Sequence, residues 1–249
     1  MTRQVRLQYE NAIYHVRSIG NQKQPIFLDD GDRVSFLKFL RATVRSRGWL
    51  CHAYCLMENH YHLLVETPVP NLSQGMHDLN CFYANTFNVK HSQPGHLFEG
   101  RFRSSLVDED DYFLTLARYI PLNPVAAGLT ADPAEWRWSS FNATCGEESY
   151  EDFIEKRLLL SYFESSPVAK DAYREFVLDG IPLIKQKVKA PPLRKLISKD
   201  MPKDELTKNI ARAFFEFEYS LREIGAVLGI CHTTVGRRVK CWRETHQSS

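Results

Sequence analysis

The chain has 249 residues, of which 43% are hydrophobic and 25% are charged, a composition typical of an ordinary globular protein. No apolar run approaches the roughly 20 residues that a membrane-spanning helix needs. Residues 1–6 are not followed by an apolar stretch long enough for a signal peptide. These features exclude a membrane-spanning protein, and we expect the chain to be cytoplasmic.

The net charge of +2 conceals an uneven distribution along the chain. From residue 181 to the end there are 14 Lys and Arg against 7 Asp and Glu, a net charge of +7, whereas residues 1–180 carry a net charge of −5. This asymmetry indicates a basic C-terminal module joined to a differently built N-terminal domain. A solvated basic tail would fit the charge equally well.

Hydrophobic periodicity predicts seven secondary-structure elements in the first half of the chain, in the order β-α-β-β-α-β-α. Short strands that pair locally favour an antiparallel sheet with helices on one face, so the predicted fold class is α+β, of the ferredoxin-like type. The predicted elements are strand 12–18, helix 29–47, strands 49–57 and 60–66, helix 71–90, strand 102–107 and helix 110–120.

The remainder of the chain divides into two further parts. Residues 144–180 look helical, and residues 182–202 are rich in Pro and Lys, which is typical of a linker. We therefore predict a first domain over residues 1–145, a helical extension with a basic linker over residues 146–202, and a helical module over residues 203–249.

The strongest local motif is His60-Tyr61-His62, which lies in a predicted strand. Side chains alternate along a strand, so His60 and His62 share one face while Tyr61 points to the other. Two imidazoles on one face suit a divalent metal ion. Histidine pairs at this spacing also occur on ordinary surfaces, so the motif needs a third ligand from another element.

The last predicted helix and its extension contain Tyr119 and Asn123, which are spaced i, i+4 and would share one helix face. Asn123 is the candidate for the third metal ligand. An Asn carbonyl oxygen and two imidazoles form a mixed nitrogen and oxygen site with open positions. Such a site favours Mg²⁺ or Mn²⁺ over a closed structural zinc site. Taken alone, Tyr119 is typical of a packing aromatic on an amphipathic helix.

The basic C-terminal segment contains the pattern of a helix-turn-helix, whose second helix would enter a major groove. Leu221, Ile224 and Leu228 form one helix face, Gly229 supplies the turn, and Val235 and Val239 would face the core of the second helix. An ordinary two-helix hairpin is the alternative. The predicted DNA-binding residues of this module are Thr233, Thr234, Arg237, Arg238 and Lys240.

Five blocks in order, between about Val5 and Cys145, carry a resemblance to a known family. The chain resembles the single-tyrosine HUH transposases, and specifically the REP-associated tyrosine transposases related to the insertion-sequence-200 type. The blocks are IYHVRSIGNQKQPIF (13–27), CLMENHYHLLVETP (55–68), GHLFEGRFRSSLVDEDDYF (95–113), ARYIPLNPVAAGL (117–129) and DPAEWRWSSF (132–141).

This resemblance implies a role for each candidate residue. His60 and His62 take the metal-binding histidine positions, Tyr119 takes the nucleophile position, and Asn123 takes the position of the polar metal ligand. The implied reaction is metal-dependent DNA nicking and rejoining. Attack of the tyrosine on a phosphate gives a 5′-phosphotyrosine and a free 3′-OH, and the covalent link allows rejoining without ATP.

Two positions depart from the family pattern. Pro121 lies between Tyr119 and Asn123, and a proline inside a helix removes a hydrogen bond and can kink the helix. Ile19 stands where the family more often has arginine, so one phosphate contact would be missing. Neither departure removes a catalytic group.

The implied partner is DNA that is single-stranded or forms a hairpin, as repetitive palindromic elements do, with duplex contacts through the helix-turn-helix. Arg101 and Arg103 stand beside Phe98 and Phe102, and such arginines can follow a DNA backbone while bases stack on exposed aromatic rings. The sequence leaves open whether the protein is a monomer or a homodimer.

Two other interpretations of the sequence remain. The protein could be a catalytically silent, sequence-specific DNA-binding regulator that acts through its helix-turn-helix. It could instead be a two-histidine phosphoesterase acting on RNA ends, which requires a second H-x-[ST] motif. His232-Thr233-Thr234 has that form, but it falls inside the predicted helix-turn-helix.

Overall fold

The fold was derived from a computed structural model, which describes residues 8–146, 152–163, 168–182, 192–198, 200–215, 219 and 221–246. The chain divides into two compact units, residues 1–182 and residues 183–249. Across the described ranges, no helix combines the length and the apolar character that crossing a membrane requires.

The first unit is built on a four-stranded antiparallel sheet in the order β2-β3-β1-β4. Every second residue of β1 is buried, which is the pattern that alternation gives to a central strand. The strand order and the connections between the strands are those of a ferredoxin-like fold, so the predicted fold class is confirmed. The strands are β1 (Ala12–Ile19), β2 (Leu50–Leu56), β3 (His60–Thr67) and β4 (Arg103–Val107).

Helices α1 (Asp30–Arg47) and α2 (Leu72–His91) pack on one face of this sheet. Helix α1 begins after Asp29, whose carboxylate accepts a hydrogen bond from the Asp32 backbone N–H in a reciprocal capping box. It ends at Gly48, whose φ of +67° is a left-handed conformation that glycine adopts without strain. The predicted boundaries of both helices agree with the structure to within one residue.

Helix α3 (Asp110–Ala126) packs against strands β2, β3 and β4. It continues six residues beyond the predicted stretch 110–120 and passes through two prolines. The described part of this unit also contains the shorter helices α4 (Phe141–Thr144), α5 (Arg157–Ser161) and α6 (Ala169–Leu178).

The second unit is helical, with a hydrophobic core of its own. Ile210, Ile224 and Val235 are fully buried there. Gly225 approaches the turn between the last two helices so closely that an added Cβ would lie 2.7 Å from the Ile230 carbonyl oxygen. The helices are α7 (Leu193–Leu196), α8 (Lys203–Phe215), α9 (Leu221–Leu228) and α10 (His232–His246).

Candidate functional site

The histidine pair lies on β3, on the sheet face opposite the α1–α2 layer. Tyr61 points into that layer, where its hydroxyl donates to Asn80 Oδ1 at 2.6 Å. His60 and His62 therefore point to the other face, with ring centroids 5.1 Å apart and ring planes at 82°. The pair thus lies on one of the two inner strands of the sheet.

Strand register places His62 in a row of side chains that crosses the sheet. Cys55 on β2 and Arg17 on β1 lie directly opposite His62 on either side, and Arg103 on β4 lies directly opposite Arg17. Residues directly opposite each other in neighbouring strands project from the same face. The row therefore leads from the histidine pair past two arginines to the edge strand.

A third histidine, His15, belongs to the same site. It lies two residues before Arg17, and its Nε2 atom is 2.9 Å from His62 Nδ1. His62 is only 1% exposed, and its Nε2 atom is buried with no hydrogen-bond partner among the described residues. The atom of His62 that lacks a partner is therefore the one available to a ligand.

Burial and the Arg17 guanidinium determine the charge of the three imidazoles. Burial, assisted by the positive charge of Arg17, lowers the pKa of His15 and of His60 to about 4. The pKa of His62 lies well below its usual value, first through burial and then through the neighbouring imidazoles and Arg17. All three rings are thus neutral at physiological pH, the state in which an imidazole can ligate a metal.

Helix α3 brings Tyr119 to these histidines from a separate layer. The Tyr119 ring meets His62 edge-on, with centroids 5.6 Å apart and planes at 88°. It also meets His15 at 6.3 Å and 81°. The structure therefore brings Tyr119 close to His60 and His62, which lie far from it in the sequence.

The proline at position 121 does not interrupt α3, contrary to the kink that its chemistry allows. A proline has no N–H to offer to the carbonyl four residues earlier, which here belongs to Ala117. The buried Tyr173 hydroxyl donates to that Ala117 carbonyl at 3.0 Å. Helix α6 thus supplies the hydrogen bond that Pro121 cannot make.

The Asn123 side chain compensates in the same way for the second proline, Pro124. Pro124 leaves the Ile120 carbonyl without its usual donor, and Asn123 Nδ2 donates to that oxygen at 3.2 Å and to Tyr119 O at 2.9 Å. The amide nitrogen is therefore committed to the helix backbone. The Oδ1 atom, one turn beyond Tyr119, is the part of this side chain that a metal could use.

The residues present fit a divalent cation. Neutral His60 and His62 offer nitrogen lone pairs, the unpartnered Nε2 of His62 among them, and Asn123 Oδ1 is a candidate oxygen ligand. A mixed set of this kind, with positions left for water and phosphate oxygens, suits Mg²⁺ or Mn²⁺. The assignment of His60, His62 and Asn123 as metal ligands stays a prediction.

A second cluster of metal-binding residue types has a different explanation. The ligand atoms of Asp29, Asp32 and His91 lie within 4.8 Å of one another. However, the Lys90 ammonium contacts Asp29 at 2.6 Å and Asp32 at 2.8 Å, and both carboxylates cap α1. The lysine supplies the positive charge, so this cluster is an ion-paired helix cap.

The predicted DNA-binding residues fall into two groups, one in each compact unit. Arg101 lines a groove of about 800 Å³ beside α2, and Arg103 is exposed on β4. On α10, Thr233 and Arg237 are exposed and Thr234 and Arg238 are half-buried, whereas the side chain of Lys240 lies outside the described part of the structure.

The first unit therefore combines a four-stranded antiparallel sheet, a histidine pair on one of its central strands and a tyrosine on a helix that packs against them. Residues 8–123 of the chain match the model of the family described as IS200-like transposases.

One solved structure similar to this chain is described as a REP-associated tyrosine transposase bound to a REP hairpin. It shares 16% sequence identity with the chain, and the alignment covers 58% of this chain and 85% of that one, with a TM-score of 0.49. A search of curated protein sequences finds no match to the chain.

Proposed function

We propose that this protein cuts and rejoins DNA through a covalent bond between the Tyr119 phenolic oxygen and a DNA 5′-phosphate. The observation that carries the proposal is the edge-on approach of Tyr119 to His62, whose buried Nε2 atom has no partner among the described residues. A nucleophile beside a preorganised metal ligand is the minimum that phosphoryl transfer to tyrosine requires.

In this mechanism His60, His62 and Asn123 would hold the divalent ion. When bound, such an ion draws charge from a non-bridging phosphate oxygen and stabilises the charge that develops on it. Tyr119 forms a new O–P bond as it gives up its phenolic proton, and the bond from phosphorus to the 3′ oxygen breaks. The departing strand leaves with a 3′-OH, and a later attack by a 3′-OH on the phosphotyrosine restores the free enzyme.

The proposed substrate is single-stranded DNA, or a DNA hairpin with single-stranded flanks. A phosphate in duplex DNA is less able to enter a site enclosed between a sheet and a helix. The structural relative described above was solved with a REP hairpin, and we extend that substrate class to this chain as a hypothesis. Repetitive palindromic elements are the natural source of such hairpins.

The second unit is proposed to bind duplex DNA as a helix-turn-helix. Helices α9 and α10 are joined at Gly229, whose φ is +60°, and Val235 and Val239 are buried. Thr233 and Arg237 are exposed near the beginning of α10, the end of a recognition helix that contacts base edges. The net charge of +7 from residue 181 onward supports the same assignment.

The test uses a pool of labelled hairpin oligonucleotides with randomised single-stranded flanks, incubated with the protein and Mn²⁺. We expect a covalent DNA adduct that survives a denaturing gel and is lost in the Tyr119→Phe variant. A wild-type protein that binds one sequence tightly yet forms no adduct with any member of the pool would instead be a DNA-binding regulator. The helix-turn-helix proposed for the second unit makes that the leading alternative.

A further inference from the structure

Arg17 is a cation in the site that no carboxylate neutralises among the described residues. It is half-buried, forms no ion pair with any of them, and its Nε atom is buried without a hydrogen-bond partner there. The side chains around it are the neutral imidazoles of His15, His60 and His62, whose pKa values its charge helps to depress. A partly buried guanidinium without an anionic partner is energetically unfavourable. We therefore expect Arg17 to bind an anion.

The position of Arg17 within the sheet indicates where that anion would lie. Arg17 stands directly between His62 on β3 and Arg103 on β4, in one row on one face. Neighbouring strands are about 4.8 Å apart, so the two guanidinium groups can reach the same or adjacent phosphates. Like charges directly opposite each other repel unless an anion bridges them. Ile19, on the same face of β1, is apolar. The guanidinium group of this strand that can bind a phosphate is therefore that of Arg17.

We propose that Arg17 binds a non-bridging oxygen of the phosphate that Tyr119 attacks, and that Arg103 binds the neighbouring phosphate. The single strand would then cross the sheet at right angles to the strands, from His62 to the edge strand β4. This inference rests on the proposed function, because it takes Tyr119 as the nucleophile. Guanidinium groups suit this role, since their planar donors match two phosphate oxygens at once.

The binding test is performed in the Tyr119→Phe background, so that chemistry does not interfere. Affinity for an oligothymidine of about a dozen nucleotides is measured across a salt series. On single strands each neutralised phosphate contributes about −0.7 to the slope of log K against log salt. We expect Arg17→Gln and Arg103→Gln each to reduce the slope by about 0.7, and the double variant by about 1.4.

Two further variants serve as controls in this test. Arg17→Lys should keep the slope, because its charge is retained. Arg45→Gln removes a 59% exposed arginine from α1, in the layer on the opposite face of the sheet, and should also leave the slope unchanged. An unchanged slope in a folded Arg17→Gln protein would overturn the proposal, and thermal unfolding shows whether that variant is folded.

A kinetic test separates the two arginines. At saturating hairpin DNA, Arg17→Gln should reduce the rate of adduct formation on the order of 100-fold, because its phosphate gains charge in the transition state. Arg103→Gln should act mainly by weakening DNA binding, since its phosphate does not react. Equal rates for Arg17→Gln and the parent would refute the role of Arg17. If the parent itself forms no adduct, the proposed function fails, whereas the salt slopes still decide whether Arg17 and Arg103 bind phosphate.

Discussion

The Nε2 atom of His15 lies 2.9 Å from the Nδ1 atom of His62, and the planes of the two rings are 13° apart. A metal on Nε2 of His62 needs the lone pair of that atom, so the proton of the neutral ring must lie on Nδ1 and be donated to His15. In the proposed metal site, His15 would thereby select the tautomer and the ring orientation in which His62 can act as a ligand.

The first prediction follows from that hydrogen bond. His15→Ala should weaken Mn²⁺ binding by about 10- to 100-fold, the usual effect of losing a partner of a metal-ligating histidine. His15→Gln, whose amide oxygen can accept the same hydrogen bond, should recover part of the affinity. Calorimetric titration with Mn²⁺ measures both, with His77→Gln on the exposed surface of α2 as the matched control. Unaltered Mn²⁺ affinity in His15→Ala would remove this residue from the site.

The second prediction concerns the metal ligands themselves. Replacing His60 or His62 with alanine should suppress cleavage at every metal concentration, because each removes a nitrogen ligand. Asn123→Ala should be partly rescued by excess Mn²⁺, since water can replace one oxygen ligand. The same variant should lose thermal stability, because the Ile120 carbonyl loses its donor. Full activity of both histidine variants in metal-free buffer would contradict the assignment.

The pH dependence of metal binding follows from the same ligands. With the pKa of His60 held at about 4, protons compete for this nitrogen only in acid. We therefore expect Mn²⁺ affinity to stay nearly constant from pH 8 down to about pH 5 and to fall below that. A histidine pair with the usual pKa of about 6.5 would begin to lose its metal ion near that pH.

The third prediction tests the hydrogen bond that carries α3 past Pro121. Tyr173→Phe should destabilise the protein by about 1–3 kcal/mol, the effect of leaving the buried Ala117 carbonyl without a donor. In a Pro121→Ala background the restored backbone N–H should bond that carbonyl, so the same substitution should cost much less. Denaturant unfolding measures this double-mutant cycle. The control is Tyr162→Phe, which removes an exposed hydroxyl bonded to Asp110. Strictly additive effects of Tyr173→Phe and Pro121→Ala on the free energy of unfolding would contradict this explanation.

The fourth prediction concerns the second unit. Arg237→Ala with Arg238→Ala should weaken duplex binding and reduce its salt slope by about 0.9 for each phosphate that the protein no longer neutralises. Removal of the residues after Pro192 should reduce the slope further, while cleavage of a short single-stranded target at high protein concentration survives. An unchanged slope would make this segment a structural helical hairpin. Faster cleavage after truncation would identify it as an inhibitory cover.

The elements of the first unit could be predicted because their signals are local. Alternation along β3 placed His60 and His62 on one face, and hydrophobic periodicity predicted the bounds of α1 to within one residue. The roles of His15 and Arg17 could not be inferred in the same way. Alternation puts both on one face of β1, but only the register with β3 brings them against His62, and register is a long-range property of the sheet.

The helix through Pro121 shows the same division between local and distant information. From the sequence, Pro121 is a reason to expect an interrupted helix between Tyr119 and Asn123. The compensating hydroxyl comes from Tyr173, 52 positions later in the chain. No local pattern links the two residues, so the continuity of α3 depends on the packing of α6 against it.

The central claim is that the Tyr119 oxygen forms the bond to DNA. The most direct measurement is mass spectrometry of the protein after reaction with hairpin DNA and Mn²⁺, followed by nuclease and protease digestion. The account predicts a nucleotide remnant attached through a 5′-phosphate to the peptide that contains Tyr119. It also predicts no adduct in Tyr119→Phe, whose affinity for the same DNA should stay within a few-fold of the parent. A remnant on any other residue, or undiminished adduct in the Phe variant, would contradict it.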